Sequence, residues 1–166
     1  MKLFHAPVAM AMLAFASPAA LAQDAAMSAQ DYVAMAASSD MFEIQSSQIA
    51  LEKGQSDAVK QFAQEMVADH DQTSAQLAAA ARQEQVEVPS AMMEKHATML
   101  EQLGNASGAE FDAAYIEAQV MAHQEAVALH SSYAENGESE PLKEVAERAV
   151  PIVSEHLEDA QAMGNM

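Results

Sequence analysis

The chain has 166 residues, with 25 acidic against 7 basic side chains, a formal charge of −18 and no cysteine. So acidic a chain disfavours nucleic acid and anionic membrane surfaces as partners and instead draws metal cations or cationic proteins. Without cysteine there is neither a disulfide framework nor a thiolate nucleophile or ligand, so stability rests on packing. A Gly-rich phosphate loop and a Gly-x-Ser-x-Gly elbow are also absent from the sequence.

Residues 1–22 read as a secretory leader, with Lys2 at its start, an apolar run from Val8 to Phe15 and the small-x-small site Ala20-Leu21-Ala22. That run is too short to span a bilayer. Cleavage after Ala22 leaves residues 23–166, with 25 acids and 6 bases, one base fewer than the whole chain, and a formal charge of −19. Roughly 140 residues are enough for one domain with a real core. No later segment is long and apolar enough to cross a membrane. The expected location is therefore the periplasm, or a peripheral position at the outer membrane.

The remaining chain reads as helix throughout. The first helix is expected over 29–53, with Ser28 as N-cap and Gly54 as the glycine that stops it. Ser56 caps a second helix, which carries Val59 to about Glu84 and ends before Pro89. A short third helix spans 90–103 and is closed by Gly104-Asn105-Ala106-Ser107-Gly108. The fourth covers 109–134 and stops at Asn136-Gly137, and the fifth runs from Pro141 to about Ala162 with Pro151 inside it. Four long helices and one short one predict an all-α protein. Its expected architecture is an antiparallel four-helix bundle with the short helix in the crossover.

Three histidines stand on the apolar stripes of three different helices. His70 continues Val59, Phe62 and Met66; His123 continues Ile116 and Val120; His156 continues Val145, Ala149 and Ile152. Spacings of three and four place each set on one helical face. Buried imidazoles cost free energy unless they are hydrogen-bonded or ligated. Glu43 shares a face with Ala36, Asp40, Ser47 and Ala50, a stripe of mostly small residues. At 1.5 Å per residue, Glu43 and His70 lie within about one and a half turns of each other across their hairpin, as do His123 and His156. Spacing leaves open whether the two pairs share a layer. If they do, three imidazoles with one carboxylate suit zinc, copper, nickel or iron. Glu43 is then either a fourth ligand or the acceptor that orients a ligating imidazole.

Other residues invite weaker readings. Met92, His96 and Met99 recur at helical spacing on the short helix; thioethers with an imidazole suit copper(I) or silver(I), while methionine also fills cores. His130 extends the His123 stripe and reads as a core histidine with a partner. Asp69 and Asp71 flank His70, cannot face it, and are expected in solvent. Tyr115 is expected to hydrogen-bond into the core.

Several runs resemble one bacterial envelope family: Phe42-Glu43-Ile44 onward to Ala50, Met66-Val67-Ala68-Asp69-His70, Phe111-Asp112-Ala113-Ala114-Tyr115 leading to His123, and Val150-Pro151 leading to His156-Leu157. The chain is similar to the domain of unknown function 4142 family, whose members are often labelled predicted outer-membrane proteins. The resemblance spans nearly the whole mature chain. It implies a ferritin-like four-helix bundle with matching positions at Glu43, His70, His123 and His156, and no established reaction. Ferritin-like di-iron enzymes carry Glu-x-x-His motifs. Here Glu65 precedes His70 by five residues, Glu117 precedes His123 by six, and Glu155 adjoins His156. Di-iron oxidase chemistry is not expected, and the site is expected to be non-catalytic. The expected function is binding of one transition-metal ion for metal handling or envelope stress tolerance. The competing reading is a structural or interaction protein of the periplasm whose histidines only knit the core.

Overall fold

The computed structural model describes residues 27–165; the leader and its cleavage site lie outside the described residues. Five helices follow in order: α1 (Ala29–Lys53), α2 (Asp57–Gln83), α3 (Glu94–Asn105), α4 (Ala109–Asn136) and α5 (Glu140–Gly164). No strand occurs among the described residues. Serine hydroxyls start three of the helices: Ser28, Ser56 and Ser139 accept the N–H groups of Asp31, Val59 and Leu142.

α1 pairs with α2 and α4 with α5, each as an antiparallel hairpin, while α1 also packs on α4 and α2 on α5. α3 lies against α1 and α4 and carries the chain back along the bundle. Lys53 at the end of α1 donates to the Gly104 and Ala106 carbonyls, and Asp112 accepts the N–H groups of Gln55 and Ser56 at 2.8 and 2.9 Å. The start of α4 is thereby tied to the α1–α2 turn. Every neighbouring pair of long helices is antiparallel, which is the ferritin-like arrangement with its crossover through α3.

Some boundaries differ from the sequence expectation. The short helix begins at Glu94 rather than at Ser90, because the chain stays extended through Met93, whose N–H bonds Ser38 Oγ at 2.8 Å. It also continues through Gly104 to Asn105. Gly54 is not a left-handed cap: its φ is −55°, and glycine is needed because a Cβ would lie 2.6 Å from the Ala50 carbonyl oxygen. Gly137 is required for the same reason, since a Cβ there would meet the Tyr133 ring at 2.6 Å.

The α2 stripe from Val59 to Leu77 is buried as expected. The α4 stripe is rotated from its expected position. Ile116, Val120 and Val127 are only half-buried, while Phe111, Tyr115, Ala122, Ala126 and Tyr133 fill the interior with His123 and His130. Alanines let α4 approach its neighbours closely, and aromatic rings close the bundle at both ends. Near the α1 start, Tyr32 stacks on Tyr133 with ring centres 3.9 Å apart. At the opposite end, Phe111 stacks on Tyr115 at 6.3 Å. Between these two plugs lies a polar layer.

Candidate metal centre

α2, α4 and α5 deliver His70, His123 and His156 into that layer, so the two hairpins do align. All three imidazoles are at most 2 % exposed. Their ring centres are 5.4 to 5.7 Å apart, and one donor nitrogen of each lies within 4.8 Å of the other two.

One nitrogen of each ring is held from behind. His70 Nδ1 lies 2.8 Å from Asp40 Oδ1, His123 Nδ1 lies 2.9 Å from the Gln119 carbonyl oxygen, and His156 Nε2 lies 3.1 Å from Asp69 Oδ2. Each partner accepts, so each of these nitrogens carries a proton. The other nitrogens, His70 Nε2, His123 Nε2 and His156 Nδ1, are buried with no hydrogen-bond partner. Three unpartnered nitrogens therefore share one layer, each on a ring oriented by an acceptor behind it and each bearing a lone pair when its ring is neutral. That arrangement fits a metal site, where ligating imidazoles donate their far N–H to a carboxylate or carbonyl. Donors up to 4.8 Å apart can share one ion after shifts under about 1 Å each, given metal–nitrogen distances of about 2.0–2.1 Å.

The electrostatics keep two of these rings neutral. Burial, reinforced by His70 and His156, pushes the His123 pKa down to about 3. Burial and His70 also lower that of His156, against the pull of Asp69. His70 differs: burial acts to lower its pKa, but the Asp40 hydrogen bond and charge, with Glu43 and Asp69, raise it overall. Asp40 is itself anchored by Thr73 Oγ1 at 3.1 Å and Ser74 Oγ at 3.0 Å.

Glu43 is fully buried in the same layer but does not join the three-histidine group. Its Oε1 lies 3.7 Å from His123 Nδ1, on the side of the ring that faces the Gln119 carbonyl. Burial, opposed by His70, raises its pKa to about 8, so the carboxyl is mostly protonated at pH 7.

Two carboxylates escaped the sequence reading. Asp69 does turn away from His70, but it meets His156 of α5 instead of standing alone in solvent. Asp40 was visible only as a member of the Glu43 stripe. Spacing offered a signal for Asp40, three residues before Glu43, and none for Asp69, which only the packing of α5 beside α2 brings to His156.

The remaining candidates fall elsewhere. His96 Nδ1 pairs with Ser38 Oγ at 2.7 Å and its ring stacks on Phe42, while Met92 and Met99 pack against the cluster around Phe42. His130 Nδ1 pairs with Tyr32 Oη at 3.0 Å, and Tyr115 Oη with Ser47 Oγ at 2.8 Å.

The sequence pattern of the domain of unknown function 4142 (DUF4142) family matches residues 14–163. The chain belongs to this family. No curated protein matches it in sequence. Among solved structures, CopM in its Cu(II)-bound form is similar, with a TM-score of 0.71 and 20 % identity over 84 % of this chain and 97 % of that one. CopM in its Ag-bound form gives 0.67 and 19 % over 82 % and 95 %. A DUF305 fragment from Deinococcus radiodurans gives 0.72 and 13 % over 82 % and 95 %. These likenesses establish the ferritin-like bundle for this family member. No helix among the described residues is long and apolar enough to cross a membrane.

Proposed function

We propose that this family member is an exported protein that binds one transition-metal ion through His70, His123 and His156, for metal handling or tolerance to envelope stress and without turnover of its own. One observation carries the reading: three buried ring nitrogens without partners meet in one layer, while the opposite nitrogen of every ring is satisfied. A packed core does not leave three polar nitrogens unpaired without compensation, because each costs about 1–3 kcal/mol. An ion removes that cost at all three at once.

Imidazole donors suit zinc, copper, nickel and iron. The Cu(II)-, Cu(I)- and Ag-bound forms of the similar CopM structures support copper within that set. Glu43 is a buried carboxyl beside His123 and supplies a negative charge when an incoming cation drives its proton off to water. Export rests on Lys2, the Val8–Phe15 run and the Ala20-Leu21-Ala22 site.

Elemental analysis of the chain purified from the periplasm without chelator tests the proposal, beside the His70/His123/His156→Ala triple variant. About one equivalent of one metal, lost in the variant, is expected. No metal in the natural protein, and none taken up from added zinc, copper, nickel or iron, overturns it and leaves a structural bundle.

A further inference from the structure

The three spokes of the histidine layer differ in what lies behind them. Behind His70 stands Asp40, whose side chain is 9 % exposed; behind His123 stand the Gln119 carbonyl and Glu43, at 1 %. Behind His156 stands Asp69, at 39 %. Of the carboxyl groups behind the three rings, Asp69 is the one most open to water.

Acidic groups on this side continue beyond Asp69. Glu65 lies one helical turn before it on the exposed side of α2, and carboxylate oxygens of Glu65 and Asp69 lie with a His156 ring nitrogen within 4.8 Å of one another. An open groove of about 230 Å³ runs along the α2–α5 surface past Phe62, Glu65 and Asp159. Phe62 stands edge-on to His156, with ring centres 6.2 Å apart at 87°.

His156 thus belongs to two donor sets. Its Nδ1 is buried and unpartnered, while Nε2 meets Asp69, with Glu65 close by in the same group of donors. A neutral imidazole has a single lone pair, so the ring serves one set at a time. Nε2 binds an outer ion only when its proton has passed to Nδ1 or to water, and Nδ1 binds an ion only when it is free of a proton. We propose that Glu65 and Asp69, with His156 Nε2, form an outer capture site for a transition-metal cation, which enters and leaves the three-histidine cage through His156. This inference rests on the proposed cage. It adds the route, and it accounts for a buried ligand backed by exposed acids. An acidic mouth concentrates cations and speeds capture, and a site on the path of both entry and exit changes the two rates together.

Stopped-flow uptake of Co²⁺, a coloured stand-in for zinc, tests the route in the full exported chain, together with release of Co²⁺ to excess chelator. At 0.15 M salt, Glu65→Gln is expected to slow uptake and release alike by about tenfold, with the dissociation constant changed less than about twofold. The exposed Asp71→Asn, off the route, is expected to change either rate less than about twofold. A second measurement uses His70→Leu/His123→Leu, which removes the cage but keeps His156. Weak Co²⁺ binding is expected to persist there and to disappear when Glu65→Gln is added. Unchanged rates in Glu65→Gln, or equal effects of Glu65→Gln and Asp71→Asn, overturn the route while leaving the cage standing. Absence of Co²⁺ binding in the natural protein overturns the cage and the route together.

Discussion

Two kinds of buried histidine sit side by side in this bundle. His130 and His96 are each closed by a hydroxyl, from Tyr32 and from Ser38, and neither ring keeps an unpartnered buried nitrogen. His70, His123 and His156 lie deeper, at most 2 % exposed against 7 and 9 %, and each keeps one buried ring nitrogen bare. All five rings are buried, so burial of the ring is not what marks the three proposed ligands. The difference lies in the second nitrogen: in His130 and His96 it is not left fully buried without a partner, whereas in the other three it is, within one layer.

The largest effect that tests this contrast is the loss of a proposed cage ligand. His123→Leu is expected to weaken metal binding more than about 100-fold, beyond what loss of an orienting partner causes. The same change is expected to leave the metal-free protein as stable as before or more so, because it removes an unpaired buried acceptor. Titration with zinc and copper, together with urea unfolding in chelator, reads both. Equal metal affinity in the variant removes the distinction between the two groups.

Acidification probes both groups at once. The His123 and His130 pKa values fall from 6.5 to about 3 and about 4, and that of His156 is also lowered. Above pH 6.5 these rings are neutral folded or unfolded; below it the unfolded chain takes up protons that the folded chain refuses. Stability then falls by about 1.4 kcal/mol per pH unit for each such proton. Glu43 runs the other way: raised from 4.5 to about 8, it contributes stability fully present below pH 4.5 and lost as the pH rises through 8. The raised pKa of His70 adds to that alkaline loss above 6.5. Metal-free protein is therefore expected to be most stable near pH 6.5 and weaker on both sides, measured by urea unfolding from pH 4.5 to 8.5. His123→Leu should flatten the acid limb and Glu43→Gln the alkaline one.

Partners behind the rings give smaller effects. Asp40→Asn replaces the carboxylate that receives His70 Nδ1 and is expected to weaken metal binding by about 10- to 100-fold. Tyr32→Phe strips His130 of its partner and is expected to cost about 1–3 kcal/mol of stability. It should leave metal affinity unchanged, and competition with a chromophoric chelator checks both variants. A metal defect in Tyr32→Phe as large as that in Asp40→Asn shows that the two layers act as one.

The bundle was legible because helical periodicity is a local property. Ser28, Ser56 and the Gly54 and Gly137 stops mark the long helices to within a residue or two. The short helix was placed four residues early, since Met93 is held extended by Ser38, which lies 55 positions away. The α4 face was misread for a similar reason. Alanines carry little weight in a hydrophobic stripe, yet they decide which side of a helix comes closest to its neighbours.

For the site, the sequence by itself determined that His70, His123 and His156 face inward, because period and apolar neighbours settle a helical face. Their meeting in one layer depended on the register between two hairpins, which the α3 crossover and the Asp112 tie to the α1–α2 turn establish together. Tertiary structure also separated Glu43 from the cage and assigned Asp40 and Asp69 to His70 and His156. A carboxylate on a helix flank is read locally as solvated, and only the helix packed beside it decides whether it meets water or an imidazole.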